Sequence, residues 1–409
     1  MSVPEFLESA RSASVRPRAP TAVLFATVFV DLLGFGIVIP FLPMYAARMG
    51  IGAFKIGMIL SIYSLMQFLA APILGRISDR VGRRPIIMLG LLGSSVSYLI
   101  YGFANSFVWL LLSRGVHGAC AATVSTAQAY VADTTTETER THGMGMIGAA
   151  FGLGFVLGPA IGGLLGHSSL RVPAFVAAAI TFANLIFAAT SLPESHRSTG
   201  AEPFHWSHLA QPLMILPRQL ARHRLARFFL IAFLATFAMA IFETTFALIA
   251  PLLYGYHAAG VGGLFAFAGV VQAVTQGYLL GKLVKLVGEK RLIRVGLLLF
   301  AIGMAPLASF RSSAMLLVLL ALLALGYGFA NPAIASLISK RSGRHLQGEV
   351  LGVNQSALAL ARIVGPIVAG ILYDTSGPLS AYIGGALAAI IALVIAGGID
   401  PAASGEALR

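Results

Sequence analysis

Twelve apolar runs, each long enough to cross a hydrocarbon layer, decide what this chain can become. They fall at 21–46, 56–75, 86–104, 107–131, 143–166, 172–192, 228–254, 260–281, 292–309, 313–338, 349–372 and 379–398. About 20 apolar residues in a helix span the roughly 30 Å bilayer core while pairing every backbone group within the segment. A water-soluble fold has no interior that could absorb twelve such runs. With 57% hydrophobic and 11% charged residues among 409, the chain is predicted to be an all-α membrane protein with twelve transmembrane helices.

The net charge of +13 could suggest a nucleic-acid partner, but the placement of the cations argues against one. Twenty-two lysines and arginines lie in the tails and in alternate loops, four (Arg48, Lys55, Arg171, Arg311) on the other side, and only Arg114 and Arg362 within spans. By the positive-inside rule both termini are expected in the cytoplasm. Residues 1–20 lack an apolar region with a small-residue cleavage site, so they are expected to be a cytoplasmic tail before an uncleaved first span. A lone cysteine, Cys120, gives no intrachain disulfide.

The longest polar interval, 193–227, holds four prolines, four histidines and five arginines. It is expected to be a cytoplasmic linker between bundles at 21–192 and 228–398, with a C-terminal tail at 399–409. Its 218–227 portion could instead form a basic amphipathic helix on the inner leaflet. An internal repeat supports the division. Gly158-Pro159-x-x-x-Gly163 recurs as Gly365-Pro366-x-x-x-Gly370. Gly75-x-x-x-Asp79-Arg80-x-Gly82-Arg83-Arg84, between the second and third spans, recurs in worn form as Gly281 to Lys290, both glycines kept and the aspartate lost. Two similar six-helix halves are the arrangement this repeat predicts.

The first of these stretches resembles the loop signature of the major facilitator superfamily. Further matches are similar to the twelve-helix drug/proton antiporters of that superfamily, nearest to the tetracycline exporters: Arg114-Gly115-x-x-Gly118 in the fourth span, and Gly154-x-x-x-Gly158-Pro159-x-x-Gly162-Gly163 in the fifth. The resemblance implies that Asp79 meets the start of the eleventh helix near Gly348 and Glu349, and that Arg80 or Arg83 meets Asp133. These contacts would form a cytoplasmic latch that holds the halves together in the outward-open state and breaks as the carrier turns inward. Gly158 and Pro159 are expected in a close contact with the eighth helix or in the central seam. Where the tetracycline exporters carry two acids and a histidine, this chain has Ser97, Phe300 and Gln272, so tetracycline–metal recognition is not implied.

Two acids lie deep within spans. Asp31 is about ten residues, or roughly 15 Å, from the cytoplasmic end of the first. Glu243 lies near the middle of the seventh. A carboxylate at such depth costs about 2.5 to 3.5 kcal/mol on insertion scales, so each should face a cavity or a cation. Asp31, paired with Arg114, is expected to carry protons, with Glu243 either a second proton site or an attractor of positive substrate. The structural alternative is a neutralised acid that only locks helices together. His117, one turn from Arg114, could titrate or be simply hydrogen-bonded. Gln67, Gln128, Gln272, Gln276, Asn331, Asn354, Gln355 and Arg362 are candidates for the cavity lining.

No intramembrane zinc-protease, serine-hydrolase or P-loop pattern is found, so neither an enzyme nor a cofactor or metal is implied. The expected function is proton-coupled antiport, exporting small amphipathic or drug-like compounds from a multi-pass monomer in a bacterial inner membrane. The alternatives are a facilitator for one metabolite or lipid and, from a different class, a non-transporting scaffold.

Overall fold

The computed structural model describes residues 19–195, 223–342 and 347–398. Twelve helical spans are present, and no strand occurs among the described residues. Span α1 runs through Ala19–Val38, a 3-10 turn at Ile39–Phe41 and Leu42–Arg48, the turn falling where Pro40 and Pro43 withdraw backbone donors. Next come α2 (Ala53–Val81), α3 (Arg83–Phe103), α4 (Phe107–Cys120 and Thr123–Thr134), α5 (Glu137–Leu165) and α6 (Val172–Ser191). The second half comprises α7 (His223–Tyr254), α8 (Ala258–Val274, Thr275–Leu279 and Leu280–Val287), α9 (Glu289–Met304), α10 (Ser313–Arg341), α11 (Gln347–Ser376) and α12 (Pro378–Gly397). Eleven are long and apolar enough to cross a membrane, the exception being the 16-residue α9.

Three expectations shift. α7 begins at His223 rather than 228, so Arg227 sits in its first turns and donates to the Gly398 carbonyl at 3.4 Å. Half of the amphipathic-helix alternative over 218–227, residues 218–222, lies outside the described residues. α4 is interrupted at Ala121–Ala122, and Gln67 Nε2 donates to the freed Ala121 carbonyl at 3.4 Å. In α8 one π turn, Thr275–Leu279, takes up an extra residue, with the Thr275 hydroxyl donating to the Val271 carbonyl at 2.6 Å.

The two halves repeat each other. α1 packs on α5 and α6, α2 on α4, and α3 on α4 and α6, and each contact recurs six helices later, as α7 on α11 and α12, α8 on α10, and α9 on α10 and α12. Between the bundles the main contacts are α2 with α11 and α5 with α8. On the side away from the chain ends, the far side, one buried apolar cluster runs across both bundles, joining Ile37, Phe41 and Tyr98 to Phe242, Phe246 and Met304. On the side of the chain ends the cores are separate, one around Leu24, Ile87 and Tyr130, the other around Phe228, Ile293 and Ile334. The bundles are thus closed against each other at the far side and parted at the other.

Candidate functional site

The far-side closure is built from small residues. Gly57 of α2 lies so close to α11 that an added Cβ would reach the Pro366 carbonyl group, 2.7 Å from its carbon. Its counterpart Gly262 of α8 meets the Pro159 carbonyl of α5 in the same way, with Gly163 Cα at 2.9 Å. One turn further out, Gly370 faces Ala53 of α2 and Gly163 faces Ala258 of α8. Each seam therefore sets Gly-Pro-x-x-x-Gly against Ala-x-x-x-Gly, spacing that lets backbones touch. The repeat of Ala53-x-x-x-Gly57 at Ala258-x-x-x-Gly262 was visible in the sequence but is so short that small-residue matches do not stand out.

Gly158 corrects an expectation. It faces α1 within its own bundle, where a Cβ would lie 2.6 Å from Gly36 Cα, and Gly162 and Gly154 likewise face Ile37 and Leu32. Only Pro159 and Gly163 of that motif reach α8. Away from this region the same helices stand clear, with no atom within 4 Å of a Cβ added at Gly75, Gly148, Gly152, Gly277, Gly281 or Gly352.

An acid completes the far-side closure. Asp374, in the last turn of α11, accepts from the backbone N–H groups of Ala53 and Phe54 at 3.0 and 2.8 Å. A carboxylate from one bundle thus caps the first turn of a helix in the other, where unpaired donors and the helix dipole favour negative charge. Ser61 adds a hydroxyl bond to the Ile363 carbonyl at 2.6 Å.

On the opposite side Gly82 breaks the chain between α2 and α3 at φ +105°. Arg83 Nε donates to Asp133 Oδ2 at 2.8 Å, its Nη1 pairs with Asp79, and Arg84 donates to the Ala189 carbonyl. Arg83 meets Asp133 as expected, but Arg83, Asp79 and Asp133 all belong to the first bundle, so the pair organises that bundle and does not itself bridge the two. The Asp79 side chain is 59% exposed. Its expected partners at Gly348 and Glu349 have side chains outside the described residues.

The worn repeat proves to be charge-reversed. Gly288 takes φ +78°, the first residue of α9 is Glu289, and its carboxylate accepts from Lys340 Nζ at 2.7 Å and Ser336 Oγ at 2.6 Å. Acid and base have changed places relative to Arg83 and Asp133. A further acid, Glu194 beyond α6, accepts from the Arg83 and Arg84 backbone N–H groups at 2.8 and 3.2 Å and so caps α3. Glu194→Ala should cost about 1 kcal/mol, so a small fall in melting temperature is the expected result.

Inside the first bundle, Asp31 of α1 is half-buried, its Oδ1 has no hydrogen-bond partner, and the hydroxyls of Ser94 and Thr123 lie against its carboxylate. Arg114 does not pair with it, correcting the expected ion pair. The guanidinium is 0% exposed, with its centre 5.7 and 5.8 Å from the Tyr98 and Tyr101 rings. Its Nη2 donates to Ser97 Oγ at 3.1 Å and Ser113 Oγ at 3.3 Å, while Nε and Nη1 have no partner. Ring faces and hydroxyls partly offset the burial of that charge.

His117 lies between these two groups. Its Nε2 is 3.3 Å from Ser94 Oγ, and Phe35, Tyr63 and Tyr98 surround it at ring distances of 5.8, 5.1 and 5.1 Å. Ser94 therefore connects the surroundings of Asp31 and His117. Ser94, Tyr98 and Tyr101 of α3 belong to this shell, and sequence reasoning missed them because uncharged polar residues in an apolar span give no depth signal.

In the second bundle Glu243 and Arg362 are both exposed and form no ion pair with each other. Gln128, Gln276 and Gln355 are exposed, while Gln67, Gln272 and Asn331 are half-buried. Asn354, at 4% exposure, is buried and faces no open space, unlike its expected role. The arrangement offers a half-buried acid in one bundle and an exposed acid and guanidinium in the other, beneath a closed far side.

Comparison with known proteins bears on this geometry. The family model of the Major Facilitator Superfamily matches residues 24–284 and 228–407. The tetracycline resistance protein of class E from Escherichia coli is 34% identical over 354 residues, 85% of this chain and 86% of that one. Multidrug resistance protein 2 from Bacillus subtilis (strain 168) is 34% identical over 358 residues, 86% of this chain and 88% of that one. Among solved structures, the human organic anion transporter MFSD10 (TETRAN) superposes with a TM-score of 0.70 at 26% identity, covering 94% of this chain and 100% of that one. The nucleoside transporter NupG reaches a TM-score of 0.71 at 14% identity over 92% of this chain and 97% of that one, a likeness of fold.

Proposed function

The chain belongs to the major facilitator superfamily, and from that membership we propose that it is a proton-coupled antiporter exporting small amphipathic, drug-like compounds. It is a multi-pass integral membrane protein and a transporter rather than an enzyme. The reading places it in a bacterial inner membrane with both termini in the cytoplasm and with its two six-helix bundles joined by a cytoplasmic linker. Its far side is then the outer side, and the structure corresponds to the inward-facing state of an alternating-access cycle.

One observation carries the coupling: the half-buried Asp31 carboxylate has a buried oxygen without a partner and no cation paired with it among the described residues. An acid removed from water without a counter-ion binds a proton and holds it until the surroundings change. Arg114, one helix away, supplies a charge that a rearrangement of Ser94 or Ser97 can bring to bear on the acid or remove from it. An antiporter needs proton and substrate to compete, and a substrate that favours the ionised acid achieves this through the linkage of the two binding events.

The test is flux in proteoliposomes. An acidic lumen should drive the wild-type carrier to concentrate a lipophilic drug inside. Asp31→Asn should abolish that accumulation yet still bind the drug, and Glu243→Gln should be milder. If Asp31→Asn still concentrates the drug under the pH difference, the acid does not couple protons to transport.

A further inference from the structure

Arg362 stands in the middle of α11, three residues before the Gly365-Pro366 pair that closes the far side. It keeps its charge in any surroundings, and an arginine at that depth costs about 2.5 to 3.5 kcal/mol on insertion scales. Such a residue ordinarily finds an acid. Here no carboxylate among the described residues lies within ion-pair distance, and the hydrogen bond it makes is a long one, Nε to the Leu358 carbonyl of its own helix at 3.4 Å.

The side chain is exposed, and its neighbours indicate where it points. Gly365, three residues on, would place a Cβ 2.8 Å from Ala240 Cβ of α7, and Pro366, four residues on, packs on Gly57 of α2, so Arg362 lies one turn inward on the face of α11 that looks toward α7 and α2. Those helices come from both bundles, and they can converge on one arginine only if it faces the space between them rather than lipid. Arg114 itself is sealed among tyrosine rings and serine hydroxyls, so Arg362 is the in-span cation whose donors face open space.

A planar guanidinium with free N–H donors matches a carboxylate in two parallel bonds, and hydroxyls beside it can serve the remaining lone pairs. Glu243, exposed and without an ion pair in the same bundle, offers the opposite charge to a second point on the same molecule. A purely cationic cargo would be repelled by Arg362 and would leave its donors unmet.

We propose that Arg362 is the anchor for an anionic group of the cargo, so that the carrier's preferred substrates are amphoteric amphiphiles bearing a carboxylate as well as a basic group. The proposal rests on the transporter reading above but not on proton coupling. The carboxylate seats on Arg362, and the basic group is directed toward Glu243, one turn beyond Ala240 on α7. Because Arg362 is one turn from the Pro366 contact with Gly57, the anchored group sits just beneath the closed seam.

The experiment measures equilibrium binding to the full-length chain in nanodiscs without a pH gradient. The probes are a panel of amphoteric aromatic drugs, including fluoroquinolones, each paired with its carboxyl methyl ester. Wild type should bind the free acids at least tenfold more tightly than the esters. Arg362→Gln should bring the acids down to the ester level without changing the esters, and Arg362→Lys should keep part of the preference. Esters that bind wild type as tightly as acids, a panel with no binding acid, or an Arg362→Gln variant that weakens both members equally would each overturn the assignment. Since no gradient is used, acid preference can survive a failure of pH-driven export, and export can survive a failure of acid preference.

Discussion

Gly158→Leu should insert in the membrane, lose transport and lose stability, while Gly152→Leu, less than two turns away on the same helix, should keep its stability. A Cβ at Gly158 would lie 2.6 Å from Gly36 Cα and the Gly36 carbonyl carbon, and these are backbone atoms that cannot rotate aside. A Cβ at Gly152 meets nothing within 4 Å. Forcing extra atoms into a packed contact costs about 1 to 3 kcal/mol. The damage here should also pass to function, because displacing α5 from α1 displaces Pro159 and Gly163, which close the seam on α8. Thermal unfolding in detergent, with flux measured on the same preparations, checks both halves of the expectation. Equal melting temperatures for the two leucine variants would mean that the contact of α1 with α5 is looser than described.

The twelve spans were legible because a bilayer demands a long apolar run whatever its packing, and this demand leaves a mark in composition alone. Depth was legible too, since the number of residues from a span's end gives the height of Asp31 or Arg114. Rotation was not. Height alone gave Asp31 and Arg114 as partners, whereas the structure turns Arg114 toward Ser97, Ser113, Tyr98 and Tyr101. The break in α4 at Ala121–Ala122 carries no local signal, because alanine is the strongest helix former. The Gly281 to Lys290 repeat read as degraded because identity was compared residue by residue. The energy of an ion pair is unchanged when its two signs are exchanged, so Glu289 with Lys340 does what Arg83 does with Asp133.

The seams were half legible. Gly-Pro-x-x-x-Gly stands out in α5 and α11, but its two partners on α2 and α8 consist of one alanine and one glycine each. What the duplication adds is mechanical. A carrier made of two like bundles needs contacts on one face that can be exchanged for contacts on the other at similar free energy, so that ligand binding can decide the balance. Backbone-to-backbone seams of small residues suit this, since they part without leaving bulky apolar side chains unpacked. Polar contacts at their rims can then set which face stays shut.

Asp374→Ala should shift the carrier toward opening at the far side, the largest change in conformational balance expected from any single side chain outside the cavity. The carboxylate receives the first two backbone N–H groups of α2 from across the bundle interface. Opening the far side must break both bonds, so the acid stabilises only the closed arrangement. Loss of a capping group costs about 0.5 to 2 kcal/mol, and at 1.4 kcal/mol per tenfold the open fraction should rise by up to roughly thirtyfold. Asp374→Asn should fall between, because the amide oxygen still accepts one bond but lacks the charge that the helix terminus attracts. Spin labels at Lys55 and Arg311, one on each bundle at that face, in a Cys120→Ala background, would report the change as a longer distance population. Transport should slow, because a carrier that rests open on that side presents its cavity to the opposite side less often. An unchanged distance distribution in Asp374→Ala would assign the far-side closure to the glycine seams alone.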